Sequence, residues 1–189
     1  TANYNLSGIT YDKNGNIKTL ERKGHTNVGA TSFGTMDNLV YTYDNGNKLT
    51  KVLDNGNDTY GFKDGINTTT EYTYDANGNM LKDLNKNMTS NILYNHLNLP
   101  TRVTIGGQHI YYTYDAAGTK LRKVVSGTTT DYAGNYIYSN NVLQFANTSE
   151  GYVKNNNGAF NFVYQYKDHL GSIRLSYSDA NNNGSIAQS

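Results

Sequence analysis

Tyr72-Thr73-Tyr74-Asp75-Ala76-Asn77-Gly78-Asn79-Met80 is the stretch that decides how this chain folds. Aromatic–Thr–Tyr has period 2, which puts both rings on one face of a strand. Asp75 then opens a turn by accepting bonds from nearby backbone N–H groups. Asn77-Gly78 supplies the positive-φ positions of a hairpin turn, and Met80 begins a return strand. The segment reads as a β-hairpin.

The same unit recurs in both directions along the chain. It appears as Ile9-Thr10-Tyr11-Asp12-Lys13-Asn14-Gly15-Asn16-Ile17 and as Tyr41-Thr42-Tyr43-Asp44-Asn45-Gly46-Asn47, with Leu49 closing it. A degenerate copy runs Ile92-Leu93-Tyr94-Asn95-His96-Leu97-Asn98-Leu99, and another reads Tyr112-Thr113-Tyr114-Asp115-Ala116-Ala117-Gly118, with Leu121 after it. In the degenerate copy Asn98 takes the place of glycine, and asparagine tolerates the left-handed region best among the alternatives. Tyr164-Gln165-Tyr166-Lys167-Asp168-His169-Leu170-Gly171-Ser172-Ile173 is the last relative. The anchors are Tyr11, Asp12, Tyr43, Asp44, Tyr74, Asp75, Tyr114 and Asp115, together with Tyr94 and Tyr166. Longer gaps hold extra strand-and-turn material, such as Val52 to Phe62.

One hairpin is marginal in water. Stacked hairpins reinforce one another, and cross-strand aromatic pairs each add roughly 0.2–1 kcal/mol. The expected fold is all-β: repeated β-hairpins joined into one long, twisted antiparallel sheet. Leu81 to Asn91 is rich in Asn and carries no sustained helical period. Composition shifts near Ser126-Gly127-Thr128-Thr129-Thr130, which divides the chain into repeats over 1–125 and a second region over 126–189. The second region is expected to add strands to the same sheet.

Composition agrees with a partly wet sheet. Tyr contributes 18 residues against 5 Phe and no Trp, and the apolar fraction is only 36%. A buried Tyr hides a large ring but keeps a hydroxyl that needs a partner. The net charge of +1 gives no electrostatic case for nucleic acid or an anionic membrane. No apolar run approaches the ~20 residues of a membrane span, so membrane insertion is not expected. There are no cysteines, hence no disulfides and no thiolate metal site. The first residues show no signal-peptide pattern.

Three sets of residues are candidate sites. Asp168-His169 lacks a nucleophile at a known spacing, and adjacent strand residues point to opposite faces, so a structural turn is the favoured reading over acid–base chemistry. His25, His96 and His109 show no metal-ligand spacing. Asp179, Asn181, Asn183 and Ser185 stand at the first, third, fifth and seventh places of a segment like the opening of an EF-hand loop, with Gly184 sixth and Ile186 eighth. The twelfth-place Glu falls past Ser189, so Ca²⁺ binding there is expected to be weak, and the alternative is a solvated Asn/Gly turn. The Tyr-Asp turns themselves offer oxygens for cations or glycans, although turn chemistry accounts for all of them. No other cofactor is expected, and no catalytic residue is assigned.

The recurring Tyr-Asp-x-x-Gly-Asn-Leu unit resembles the YD repeat of the Rhs family. Residues 131–179 resemble the Rhs repeat-associated core in the style of Bacteroidetes members. The most specific piece is Tyr166, Asp168, His169, Leu170, Gly171 and Arg174 within Tyr166–Arg174. Asp131-Tyr132-Ala133-Gly134-Asn135-Tyr136-Ile137-Tyr138 and Leu143-Gln144-Phe145 also fit. The resemblance implies a secreted or surface-exposed bacterial protein whose repeats form a hollow shell, commonly around a C-terminal toxin. The expected function is a structural, non-enzymatic shell segment of such a polymorphic toxin. Its partners would be the rest of the same polypeptide and a secretion-machinery or surface partner. The alternative is an adhesin-like module that recognises glycans or such a partner. Members usually continue to a sealing, self-cleaving segment. This chain ends before one, so an open sheet with edges needing cover is expected.

Overall fold

The computed structural model describes residues 3–179 and 183. Among them every regular element is a strand. In chain order these are β1 (Asn5–Tyr11), β2 (Ile17–His25), β3 (Phe33–Tyr43), β4 (Leu49–Asp54), β5 (Tyr72–Tyr74), β6 (Met80–Asp83), β7 (Leu93–Tyr94) and β8 (Pro100–Ile105). They continue as β9 (Gln108–Tyr114), β10 (Lys120–Val125), β11 (Thr128–Ala133), β12 (Tyr136–Ser139), β13 (Val142–Thr148), β14 (Gly151–Asn156), β15 (Ala159–Lys167) and β16 (Ile173–Ser178). Among the described residues the paired strands run antiparallel and are neighbours in sequence.

The fold is all-β, as expected, but it is not one sheet. The strands form a four-stranded sheet (β1–β4), a two-stranded sheet (β5–β6) and a ten-stranded sheet (β7–β16), each in sequence order. The break has a local cause. After β4 the chain leaves the sheet, and 55–71 forms no strand, contrary to the extra strand expected around Asn55-Gly56. β5 and β7 are then only three and two residues long, too short to build a ladder on both sides.

The chain divides into two compact units, 1–108 and 109–189. The expected compositional boundary at 125/126 falls inside the second unit, in the turn between β10 and β11. In the first unit the core is small. Leu39, Val52 and Tyr72 are buried, with Leu20, Tyr41, Leu49, Phe62, Tyr74 and Met80 packed against them. The period-2 pattern holds here: Leu39, Tyr41 and Tyr43 face inward along β3, while Asn38, Val40 and Thr42 are exposed. In the second unit Gly151 is the one buried residue among those described. That unit is a single layer of strands.

Candidate functional site

The Tyr-Asp turns share one hydrogen-bond plan. Asp12 Oδ1 accepts the N–H groups of Asn14 (2.8 Å) and Asn16 (2.9 Å). Asp75 Oδ1 accepts those of Asn77 (2.9 Å) and Asn79 (2.8 Å), and Asp115 Oδ1 those of Ala117 (2.9 Å) and Thr119 (2.8 Å). Asp44, Asn95 and Asp168 repeat the same two-and-four-residue reach. Hydrogen bonds to the ionised carboxylate hold it below the usual range in Asp12, Asp75, Asp115 and Asp168. The leading donor is the Asn16 side chain for Asp12, the Asn79 side chain for Asp75, and the backbones of Thr119 and Ser172 for Asp115 and Asp168.

The turn type differs from the expected one. Gly15, Gly78, Gly118 and Gly171 have φ between 81° and 88°, Asn98 has φ 58°, and the Asn before Gly15 or Gly78 stays out of the left-handed region. The residue at this position donates its N–H back to the anchor carbonyl, as Gly78 does to Asp75 at 3.1 Å. This is a type I turn followed by one left-handed residue, which needs a single positive φ. The carboxylate favours this form because it collects N–H groups that a type I′ turn would direct elsewhere. In each of these hairpins one residue of the return strand is bulged out, for example between the pairs Thr73↔Lys82 and Tyr74↔Met80.

The tyrosines do something the sequence did not suggest. Ring-to-ring pairing across repeats was expected. Among the described residues Tyr43, Tyr74 and Tyr94 form no ring pair. Each donates its hydroxyl proton to the carbonyl that opens the preceding return strand: Tyr43 to Ile17 (2.9 Å), Tyr74 to Leu49 (2.9 Å) and Tyr94 to Met80 (2.6 Å). Burial raises all three phenol pKa values above the ordinary 10. Beside two of these hydroxyls a backbone bond crosses the same seam, from Glu71 N–H to the Thr50 carbonyl (2.8 Å) and from Ile92 N–H to the Leu81 carbonyl (2.9 Å). The sheets are therefore separate ladders stitched at their seams.

Buried carboxylates finish the stitching. Glu71, fully buried, accepts on Oε2 from Val52 N–H (3.0 Å) and Asn85 Nδ2 (2.9 Å). Asp37 accepts Phe62 N–H at 2.6 Å and pairs with Arg22. Asp54 Oδ1 accepts from Asn38 N–H (2.7 Å) and Gly56 N–H (2.8 Å). Sequence reasoning missed all three; the one signal was an acid set inside strand-like residues, as in Met36-Asp37-Asn38-Leu39. Asparagines link successive turns. Asn47 Oδ1 accepts from Asn14 and Asn16, and Asn98 Oδ1 from Asn77 and Asn79, at 2.8–3.1 Å. An open groove of about 490 Å³ between the Asp75 and Asn95 turns is lined by these already bonded groups.

In the last turn, Asp168 Oδ2 is held by Arg174 (2.8 Å from Nε), while His169 and Leu170 are exposed. Gly171 occupies the left-handed position, and Tyr166 is exposed on β15. These residues form a turn. Of the calcium-loop residues, Asn181 and Ser185 lie outside the described residues. Asp179 Oδ1 accepts Asn183 N–H at 3.1 Å, again the four-residue reach of the repeat turns. No cluster of three or more His, Asp, Glu or Cys able to hold a metal occurs among the described residues. No described helix is long and apolar enough to cross a membrane.

One face of β15 and β16 is conspicuously apolar. Phe160, Phe162, Tyr164 and Tyr166 alternate along β15, and Tyr177 and Leu175 stand opposite Tyr164 and Tyr166 on β16. All six are exposed. The Tyr164–Tyr177 rings stack at 5.5 Å and Phe162–Tyr164 at 6.4 Å. Contiguous exposed apolar side chains of this kind are uncommon on the surface of monomeric proteins. Comparison with known proteins finds no family model that matches the chain and no match among curated proteins.

Proposed function

We propose that this chain is a wall segment of a polypeptide container, a structural part of an Rhs-type secreted or surface protein whose interior holds another stretch of the same polypeptide. One observation carries the reading. Over 109–179 the described residues make a sheet one layer thick, with a row of aromatic side chains bare on one face. A single layer leaves the apolar side chains of one face in water, and a covering chain would remove that exposed apolar area. Repetition supports the same reading. In the first unit the return strands opened by Ile17, Leu49 and Met80 each give their first carbonyl to the tyrosine hydroxyl of the next repeat, so a wall can lengthen unit by unit. The quoted Tyr-Asp units and the Asp168–Arg174 segment are what connect this architecture to the family.

The test is protease protection in the complete polypeptide that carries this sequence. Enclosed segments should survive thermolysin until the wall unfolds, and Tyr74→Phe with Tyr94→Phe should shorten that survival. Cleavage of those segments as fast in the intact protein as in isolation would refute containment.

A further inference from the structure

The other face of the same strands has a different character. The ladder places Phe145 opposite Lys154, Asn147 opposite Tyr152, and Tyr152 opposite Val163. Phe145, Asn147, Tyr152, Lys154, Val163 and Gln165 therefore share the face away from Phe162 and Tyr164. Of these, Phe145, Asn147, Tyr152, Lys154 and Gln165, joined by Gln144 and Asn155, line an open hollow of about 530 Å³. The Phe145 and Tyr152 rings meet edge to face, with centroids 5.7 Å apart and planes at 61°. That contact fixes both rings and leaves a platform on the floor of the hollow.

The rim is built and yet unengaged. Gln144, which sits in the bulge between β12 and β13, is tied back to the Val142 carbonyl at 3.1 Å. Asn155 is clamped between the Leu143 carbonyl (2.6 Å) and the Gly158 N–H (2.7 Å). These bonds stiffen one wall. Between them and Gln165, the Asn147 amide, the Tyr152 hydroxyl, the Lys154 ammonium and the Gln165 amide have no side-chain hydrogen-bond or ion-pair partner among the described residues. Four unused polar ends around two fixed rings contrast with the groove at the Asp75 turn, where the amides are already paired.

We propose that this hollow is a saccharide site selective for a sugar ring that carries a carboxylate. A pyranose presents an apolar C–H face, which an aromatic platform accepts, and equatorial hydroxyls at its edge, which amides and a phenol both donate to and accept from. Lys154 is the one charged side chain lining the hollow, and no acid lines it. One ammonium without a competing carboxylate favours a uronate over a neutral sugar, and a lone cation is too little for a phosphate-rich ligand. Both side-chain types lie on regular strands, so the site is formed before ligand arrives. The proposal adds a binding activity and does not rest on the container reading.

The test is amide NMR of the ¹⁵N-labelled chain titrated with trigalacturonate, with maltotriose as the neutral counterpart and acetate as the free carboxylate. Trigalacturonate should shift the amides of β13–β15 around Phe145, Tyr152 and Gln165, acetate should not, and maltotriose should bind more weakly. Lys154→Gln should weaken trigalacturonate by about tenfold, the scale of one charge-assisted bond, and leave maltotriose unchanged. Tyr152→Ala should remove both, and Tyr152→Phe, which keeps the ring, should retain most of the binding if the sheet is intact. The proposal is overturned if neither sugar shifts these amides, if Lys154→Gln leaves the preference intact, or if the shifts fall instead on the Phe160–Tyr166 face.

Discussion

Replacing Tyr74 with Phe removes one oxygen and tests the seam between hairpins directly. The ring stays, so packing against Leu39, Val52 and Tyr72 is kept. What is lost is the 2.9 Å bond to the Leu49 carbonyl, a group facing a half-buried seam. A typical hydrogen bond contributes about 0.5–1.5 kcal/mol net, and a stranded buried carbonyl costs about 1–3 kcal/mol. Water reaches a half-buried seam in part, so the expected loss is about 1–2 kcal/mol. With a urea slope of about 2 kcal/mol per molar, that lowers the midpoint by roughly 0.5–1 M. A local readout accompanies the global one: Glu71 N–H, bonded to Thr50 O across the same seam, should exchange with deuterium up to about thirtyfold faster. The control is Tyr11→Phe. Tyr11 is 60% exposed and, among the described residues, makes no such bond to a neighbouring unit, so its change should stay within about 0.5 kcal/mol. If Tyr74→Phe and Tyr11→Phe behave alike in both measurements, the hydroxyl does not join the hairpins and the seam argument is wrong.

Other outcomes follow from the same contacts. Asn98→Ala should destabilise more than Asn98→Gly in thermal melts: both lose the bonds from Asn77 and Asn79, but only Ala keeps the strain of φ 58°. At alkaline pH the first unit should unfold cooperatively by circular dichroism. Burial pushes Tyr72 up to about 12 and raises Tyr41, Tyr43, Tyr74 and Tyr94, so their contribution is complete below pH about 10 and is lost as pH climbs through the raised values. At acid pH the sign reverses. Asp12, Asp75, Asp115 and Asp168 are lowered from 3.8, so the turns they hold should weaken as pH falls below about 4, read from the turn amides by NMR. Gly151→Ala should cost about 2 kcal/mol or more by urea melting, because the added Cβ would run into the Val163 carbonyl and backbone, not into a movable side chain, at the one buried position among the described residues of the second unit.

Much of this fold is local and therefore legible in the residues. An Asp oxygen reaches N–H groups two and four positions ahead, and a glycine one step before the turn closes accepts positive φ. Both effects lie within five residues, so each Tyr-Asp-x-x-Gly unit announces its own hairpin, down to the exposed Thr113 and the inward Tyr112 and Tyr114. Even here the turn type was misjudged at Asn77, because composition alone does not say which donors the carboxylate will collect.

Determined by sequence alone were the all-β class, the hairpin repeat and the absence of any thiol chemistry, since each follows from side-chain period or residue type. Decided only in three dimensions were the split into three sheets, the tyrosine hydroxyls that bridge 14 to 26 residues of chain, the buried Glu71 that substitutes for a missing strand, and the asparagine that displaces glycine at position 98 to bind the turn before it. The hollow at Phe145 and Tyr152 belongs with these. Such contacts depend on which carbonyl the register and bulge leave free, and register is set by the packing of distant segments, not by any residue's own preference.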